Sequence, residues 1–348
     1  MRQTLLIADK GKTAVRIAKA AADLGWHSFI SREVLEERPA GRPRADADRV
    51  LRAAARAGAD HVHPGRGALS LDAHFVRRCA QAGLTVIGPP PDVLKIINDR
   101  GHVRALAGAV GVPVAPGPSG PVSWEDAGAF LSSLRGQAML LRPVSHRRRP
   151  KTYVIRDAAG LRQARARLDG RLDGRLDRAG AASAEAGVRV EEFVEHARRV
   201  EVQTAGDGRL VAHLWERQPF RGGTRPPGWL APAADLPAST RFLLLDAALR
   251  LADALAYPGV GTMTFLLSPT RRFFLTGIDP RLHSGHFVTE RLAGLDLFAT
   301  QLRLARGDRI GDLGLEEHLR PSLPLPDGTA TVTKGPCRPR THHRRSSS

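Results

Sequence analysis

Short continuous apolar runs alternate along the chain with stretches in which apolar residues recur three and four positions apart, the first pattern suiting buried strands and the second amphipathic helices. The opening "TLLIADKGKTAVRIAKAAADLGWHSFIS" predicts a strand from Thr4 to Ala8, a turn at Gly11, a helix to Leu24, a stop at Gly25 and a second strand. "ADADRVLRAAARAGADHVHPGRG" predicts a helix, a cap at Gly58 and a strand from Asp60 to His63. "DAHFVRRCAQAGLTVIGPP" repeats the scheme with a strand from Thr85 to Ile87. Strands and helices that alternate with short Gly/Pro turns call for a parallel sheet covered by helices, a Rossmann-like α/β domain over residues 1–112.

"GVPVAPGPSGPVS" breaks the rhythm and marks a domain boundary. Beyond it the pattern predicts a helix near Trp124 to Leu134, strands at Met139–Leu141 and Tyr153–Ile155, and a helix from Ala158. Strands near Val188–Phe193, Arg199–Ala205 and Arg209–Glu216 follow. After a helix from Thr240 to Ala256 come strands in "GTMTFLLS" and "RRFFLTGID", then a helix near Asp296 to Ala305. Strands now succeed one another, so residues 113–312 read as an α+β domain. "RLDGRLDGRLDR", residues 167–178, repeats every four residues, and its glycines weaken the helix they would extend; it reads as a surface extension without function. Residues 313–348 read as a linker and a disordered basic tail.

Composition narrows the functional classes. Hydrophobic residues at 42% and charged residues at 25% belong to an ordinary soluble protein, and no apolar run approaches the ~18 residues of a membrane span. The expected compartment is the cytoplasm, without a membrane partner. Two cysteines, Cys79 and Cys337, cannot build a disulfide scaffold, and Cys79 lies in a helical pattern as a core thiol. The net charge of +18 favours polyanionic partners, so non-specific nucleic-acid binding is one expectation, although 5% aromatic content gives little surface for base stacking.

Sites in parallel-sheet proteins gather where strands end. "IADKGKTAVRI" opens a helix after a strand, and "HPGRGALS" leaves a strand with two glycines and a serine at a helix start. His61 and His63 alternate on that strand and read as packing residues, since no third metal ligand accompanies them. "MLLRPVSHRRRPKTYVI" joins two strands through a loop crowded with cations, suited to a phosphate, to nucleic acid, or to solvent as the remains of a former site.

Together "IADKGKTAVRI", "HPGRGALS", "VIGPPPDVLKIINDR", "GVPVAPGPSGPV", "VRVEEFVEHARRVEVQ", "GVGTMTFLL" and "IDPRLHSGHFVTE" stand in the order and near the spacing of the biotin carboxylase family, which the chain resembles over residues 1 to roughly 310. The resemblance implies an ATP-grasp fold, ATP and magnesium as cofactors, carboxylation of biotin by bicarbonate, and carboxylase subunits or a biotin carrier as partners.

Residue by residue, it implies that Arg100 and Arg142 replace the two lysines that bind ATP phosphates, and that Glu191, Glu192, Phe193 and Val194 take the adenine hinge. Glu201 and Gln203 match as well, although alternate strand residues of this kind often face solvent. The family's metal-holding glutamates fall at Thr264 and Gly277, leaving Asp279 as a single oxygen ligand, so magnesium is poorly provided for. Arg281 matches the arginine that contacts bicarbonate and biotin. The general-base glutamate falls at Gly285. His286 fits the family's structural pattern, though an imidazole there could titrate as a base. The glycine-rich phosphate lid falls on Ser145 to Lys151, where Pro150 removes a donor. The implied protein is a degenerate member that keeps the ATP-grasp body and has lost biotin carboxylation. An active ligase with altered chemistry and a polyanion-binding module stay open at this point.

Overall fold

The computed structural model describes residues 3–31, 43–144, 152–172, 187–222, 225–321 and 330–333. Its first unit is a four-stranded sheet of order β2-β1-β3-β4, with β1 Thr4–Ile7, β2 His27–Phe29, β3 His61–His63 and β4 Thr85–Val86. The registers are parallel throughout. Leu5, Leu6 and Ile7 are all fully buried because helices cover both faces, which is why β1 reads as an unbroken apolar run. On one face lies α1 (Gly11–Asp23), through Ala14, Ile17 and Ala21. On the other lie α2 (Pro43–Arg56) and α3 (Ala73–Gln81), the latter capped by Asp72, which accepts from the His74 and Phe75 amides. His61 and His63 are buried on β3, the first stacked on Trp26 with ring centroids 4.6 Å apart. Cys79 is buried, and desolvation pushes its thiol up to about 12.

Two helices, α4 (Pro91–Asn98) and α5 (Arg100–Ala109), lead into the rest of the chain. A three-stranded antiparallel sheet, order β6-β5-β7, contains β5 Met139–Pro143, β6 Tyr153–Ile155 and β7 Val188–Glu192. It is backed by α6 (Trp124–Ser133) and α7 (Ala158–Leu172). The last sheet, order β12-β11-β8-β9-β10-β13, is antiparallel. Its strands are β8 Arg198–Asp207, β9 Val211–Gly222, β10 Arg225–Ala231, β11 Pro258–Leu267, β12 Phe273–Asp279 and β13 Ala330–Thr333. Helix α8 (Ala238–Ala254) buries Leu244, Leu245, Ala248 and Leu251 against it. Helices α9 (His286–Ala293) and α10 (Leu297–Ala305) complete the body, α10 packing on α1 through Phe298 and Leu302. Among the described residues no helix is long and apolar enough to cross a membrane.

The sequence pattern gave no sign of β10, because Pro226 and Pro227 argue against a strand. A register shift between Arg225 and Gly228 absorbs them, and pairing resumes at Gly228 opposite Phe220. Four residues of the expected disordered tail form a strand. Ala330–Thr333 pairs with β10, Val332 opposite Trp229, where a short strand with two threonines and a valine closes the edge that β10 would otherwise expose. The other tail residues beyond 321, the 145–151 loop and residues 173–178 of the four-residue repeat lie outside the described residues.

A Cβ at Gly206 would overlap the carbonyl oxygen of Tyr257. Gly206→Ala is therefore expected to lower stability by about 1–3 kcal/mol in urea unfolding. Gly108→Ala, inside α5 with nothing near the added carbon, should raise it by roughly 0.5–1 kcal/mol. Equal midpoints for the two variants would contradict the packing described.

Candidate functional site

Asp99 caps α5, its carboxylate accepting from the Gly101 amide at 2.7 Å and the His102 amide at 3.3 Å. That cap places Arg100 on the first turn and Arg104 one turn later on the same helix face. Strand β5 pairs with β7 so that Leu140 lies opposite Glu191 and Arg142 opposite Arg189. The two elements meet at one carboxylate. Arg142 Nη1 donates to Glu191 Oε1 at 2.6 Å and Arg100 Nη2 to the same oxygen at 3.3 Å; Arg104 Nη1 donates to Oε2 at 3.3 Å. Arg104 is anchored separately, its Nη2 donating to Ala115 O at 2.9 Å and Gly117 O at 3.2 Å.

The Glu191 side chain is 12% exposed, and Arg100, at 40%, is the most open of the group. Burial, followed by the charge of Arg142, pulls the Arg100 guanidinium below its ordinary value despite Glu191. Arg189 stands 3.7 Å from Asp99 at the border of the same recess. A second recess runs from Arg100 and Arg104 to Thr276 and Gly277 on β12.

Of the adenine-hinge candidates, Glu191 is thus committed to arginines. The Glu192 amide donates to Pro116 O at 2.7 Å, and Val194 is buried beside Ala115 and Phe274.

A second polar cluster sits where β8, β9 and β11 meet α9. Arg217 on β9 is fully buried. Its Nε donates to Glu201 Oε2 at 3.0 Å, its Nη1 to Gln203 Oε1 at 2.7 Å and to Thr289 Oγ1 at 2.9 Å, and its Nη2 to Thr262 Oγ1 at 3.2 Å. Arg199 also pairs with Glu201. Glu201 and Gln203 therefore do not face solvent; both are fully buried, because the strand face they occupy is covered by α9 and must neutralise a guanidinium. The Trp229 ring stacks on Arg217, its centroid 5.5 Å from the guanidinium carbon, and lies 5.7 Å from the His283 ring. His283 Nε2 is 3.3 Å from Glu201 Oε2. Burial and then the charge of Arg217 push this imidazole down to about 3.

Gly285 follows directly. A Cβ built there would lie 2.6 Å from Arg217 Nε and 2.9 Å from two Trp229 ring atoms, so the space beside it is filled. His286 is buried against Phe298 with Nδ1 donating to His283 O at 2.7 Å, and burial pushes it down to about 4. This is the environment of a packing residue.

Asp279 and Arg281 occupy each other. Arg281 Nη2 donates to Asp279 Oδ2 at 2.7 Å, and Arg281 Nε and its amide donate to Oδ1 at 2.8 and 3.0 Å. Burial pushes the Asp279 carboxyl up, but the bonds and charge of Arg281 outweigh it and hold the group below the ordinary carboxylate value. Both oxygens are engaged, and Thr264 and Gly277 offer no carboxylate. Among the described residues no three His, Cys, Asp or Glu side chains converge on a point. The described residues around Asp279 do not fit a magnesium site.

Sequence reasoning named Arg100, Arg142, Glu191, Asp279 and Arg281, and the structure brings the first three together and the last two together. It missed Arg104, although the four-residue spacing from Arg100 marks it on one helix face. It missed Arg217, Trp229 and His283 as well, since nothing in "LWER" announces a buried arginine and Trp229 belongs to the strand hidden by prolines.

Comparison with known proteins gives two matching family models, the biotin carboxylase N-terminal domain over residues 30–94 and the carbamoyl-phosphate synthase L chain ATP-binding domain over residues 99–313. The chain is 30% identical over 337 residues to pyruvate carboxylase from Aspergillus niger, covering 90% of itself and 28% of that protein. It is 29% identical over 324 residues to biotin carboxylase from Nostoc sp., covering 88% of itself and 71% of that protein. Among solved structures, the biotin carboxylase domain of a single-chain bacterial carboxylase is 36% identical with a TM-score of 0.76, over 94% of this chain and 72% of that one.

Gly285→Ala is expected to destabilise the protein by about 1–3 kcal/mol, as overpacking does. The cost should be smaller in a Trp229→Leu background, where the ring contacts are gone and the contact with Arg217 Nε remains. Strictly additive effects in that double-mutant cycle would show that Trp229 does not occupy it.

Proposed function

Because this chain belongs to the biotin carboxylase family of ATP-grasp proteins, we propose that it is a member which holds the phosphates of a nucleotide through arginine rather than through magnesium, and which does not carboxylate biotin. One observation carries this reading: Arg100, Arg104 and Arg142 converge on a single carboxylate in the cleft, while Asp279, the remaining candidate metal ligand, is bound at both oxygens by Arg281.

A guanidinium supplies fixed positive charge and paired donors for phosphate oxygens without an intermediary ion. Carboxylates that hold metal do the reverse, repelling a bare triphosphate until a divalent cation bridges the two. Thr264 and Gly277 remove that repulsion, and Arg100 and Arg104 border the same recess as Gly277. Carboxyl transfer also needs a proton acceptor at the reacting atoms. The position at which the family resemblance places the general base is Gly285, and the side chains of Arg217 and Trp229 fill the space beside it. Arg281, the candidate for bicarbonate and biotin, is held to Asp279 and to the Arg66 carbonyl. On this reading the chain works in the cytoplasm with a nucleotide as ligand and carboxylase subunits or a biotin carrier as partners, and it divides near residues 112 and 312.

The test is calorimetric titration with ATP, with and without magnesium. ATP should bind weakly in both, magnesium changing the Kd little or weakening binding. Arg142→Ala should weaken it about tenfold, the roughly 1.4 kcal/mol of one charge-assisted contact. The wild type should carboxylate free biotin no faster than a buffer blank. Tight binding that requires magnesium, or biotin carboxylation lost on Arg281→Ala, would overturn the proposal.

A further inference from the structure

We propose that Glu191 is a built-in counter-anion of the arginine site, its carboxylate standing where an oxyanion of the ligand binds, so that a di- or triphosphate enters by displacing it. The inference rests on the reading that Arg100 and Arg142 face phosphate.

Carboxylate and phosphate oxygens present the same acceptor to a guanidinium, and the site holds Glu191 as it would hold such an anion. Oε1 is shared between Arg100 and Arg142, and Oε2 faces Arg104. The receptor does not need Glu191 to keep its shape. Arg104 is fixed by the Ala115 and Gly117 carbonyls, and Arg100 starts a helix capped by Asp99. When the carboxylate leaves, Nη1 of Arg104 and the donors of Arg100 and Arg142 become available together.

Charge sets the ligand class. Among the described residues three guanidiniums against one carboxylate leave two positive charges uncompensated, and Arg189 is balanced by Asp99. A monovalent oxyanion gains little by replacing one carboxylate with another single charge. A polyphosphate replaces it and neutralises the remainder as well. The backbone at 191 is held by the pairing of β7 with β5 and by the Glu192 amide, which donates to Pro116 O at 2.7 Å. Displacement is therefore a turn of the glutamate side chain alone, toward the open side marked by the more exposed Arg100.

The opposite role would make Glu191 a brace that keeps the arginines from repelling one another, and the two roles predict opposite signs. Inorganic tripolyphosphate and inorganic phosphate are titrated into the full chain as wild type, Glu191→Gln and Glu191→Asp, each checked by circular dichroism for folding. If the glutamate occupies the site about nine-tenths of the time, its removal tightens tripolyphosphate binding about tenfold. Glu191→Asp, too short to reach all three arginines, should tighten it less, and phosphate should respond less than tripolyphosphate. Adding Arg142→Ala to Glu191→Gln should abolish the gain. Unchanged or weaker tripolyphosphate binding in both variants, with ATP binding still dependent on Arg142, would overturn the counter-anion role and leave the nucleotide reading standing. Failure of wild type and both variants to bind tripolyphosphate or ATP would overturn both.

Discussion

The fully buried guanidinium of Arg217 is the constraint around which the sheet and its flanking loops are arranged. A lone charge in a dry interior costs several kcal/mol even after relaxation, so Arg217 can exist only where several elements bring acceptors to it at once. Glu201 and Gln203 come from β8, Thr262 from β11 and Thr289 from α9. Trp229 from β10 covers the cation with its ring, an arrangement that suits a guanidinium more than an ammonium. Because the partners come from β8, β10, β11 and α9, the cluster ties these four elements to β9. Removing Glu201 would leave the charge uncompensated, and removing a neutral partner would leave a buried donor unsatisfied.

That rigidity explains why the position at Gly285 is closed. The glycine is dictated from outside, by the indole and guanidinium that already take the neighbouring volume. His283 is then squeezed between Arg217 and Trp229, where its imidazole stays neutral. The space beside Gly285 is occupied by side chains, whereas among the described residues the recess near α5 keeps only partly compensated charge. One chain thus uses arginine in two ways, fully buried and hydrogen-bonded at 217, and clustered around a single carboxylate at 100, 104 and 142.

The alternation of strands and helices was legible because its physical cause is local. Leu5 to Ile7 are apolar on both faces since both faces are covered, and Gly25 and Gly58 close their helices at φ of +73° and +56°. The elements that escaped depend on distant pairing. β10 forms in spite of two prolines because β9 on one side and β13 on the other supply its partners. Glu201 and Gln203 looked like the solvent-facing half of a strand, since alternation alone cannot tell solvent from a buried cation 14 to 16 residues away. The site was legible as far as single residues could be matched, and no further. That Arg100 and Arg142 would share one oxygen of Glu191, or that Arg281 would bind the carboxylate two residues before it, follows from backbone geometry that only the folded chain provides.

The loss of carboxylates near β12 and the presence of arginines on α5 are two sides of one electrostatic requirement. An acid at 277 without a bound ion would share its recess with Arg100 and Arg104. The acid and the arginines would then have paired and silenced each other, as Asp279 and Arg281 do two residues along. On the proposed reading, a cleft that meets phosphate with guanidinium has to be cleared of competing carboxylates, and Thr264 and Gly277, paired across β11 and β12, supply none. Glu191 is the carboxylate that stays. A single acid among three arginines cannot neutralise them, and at 12% exposure its pairing with Arg142 is screened by little water.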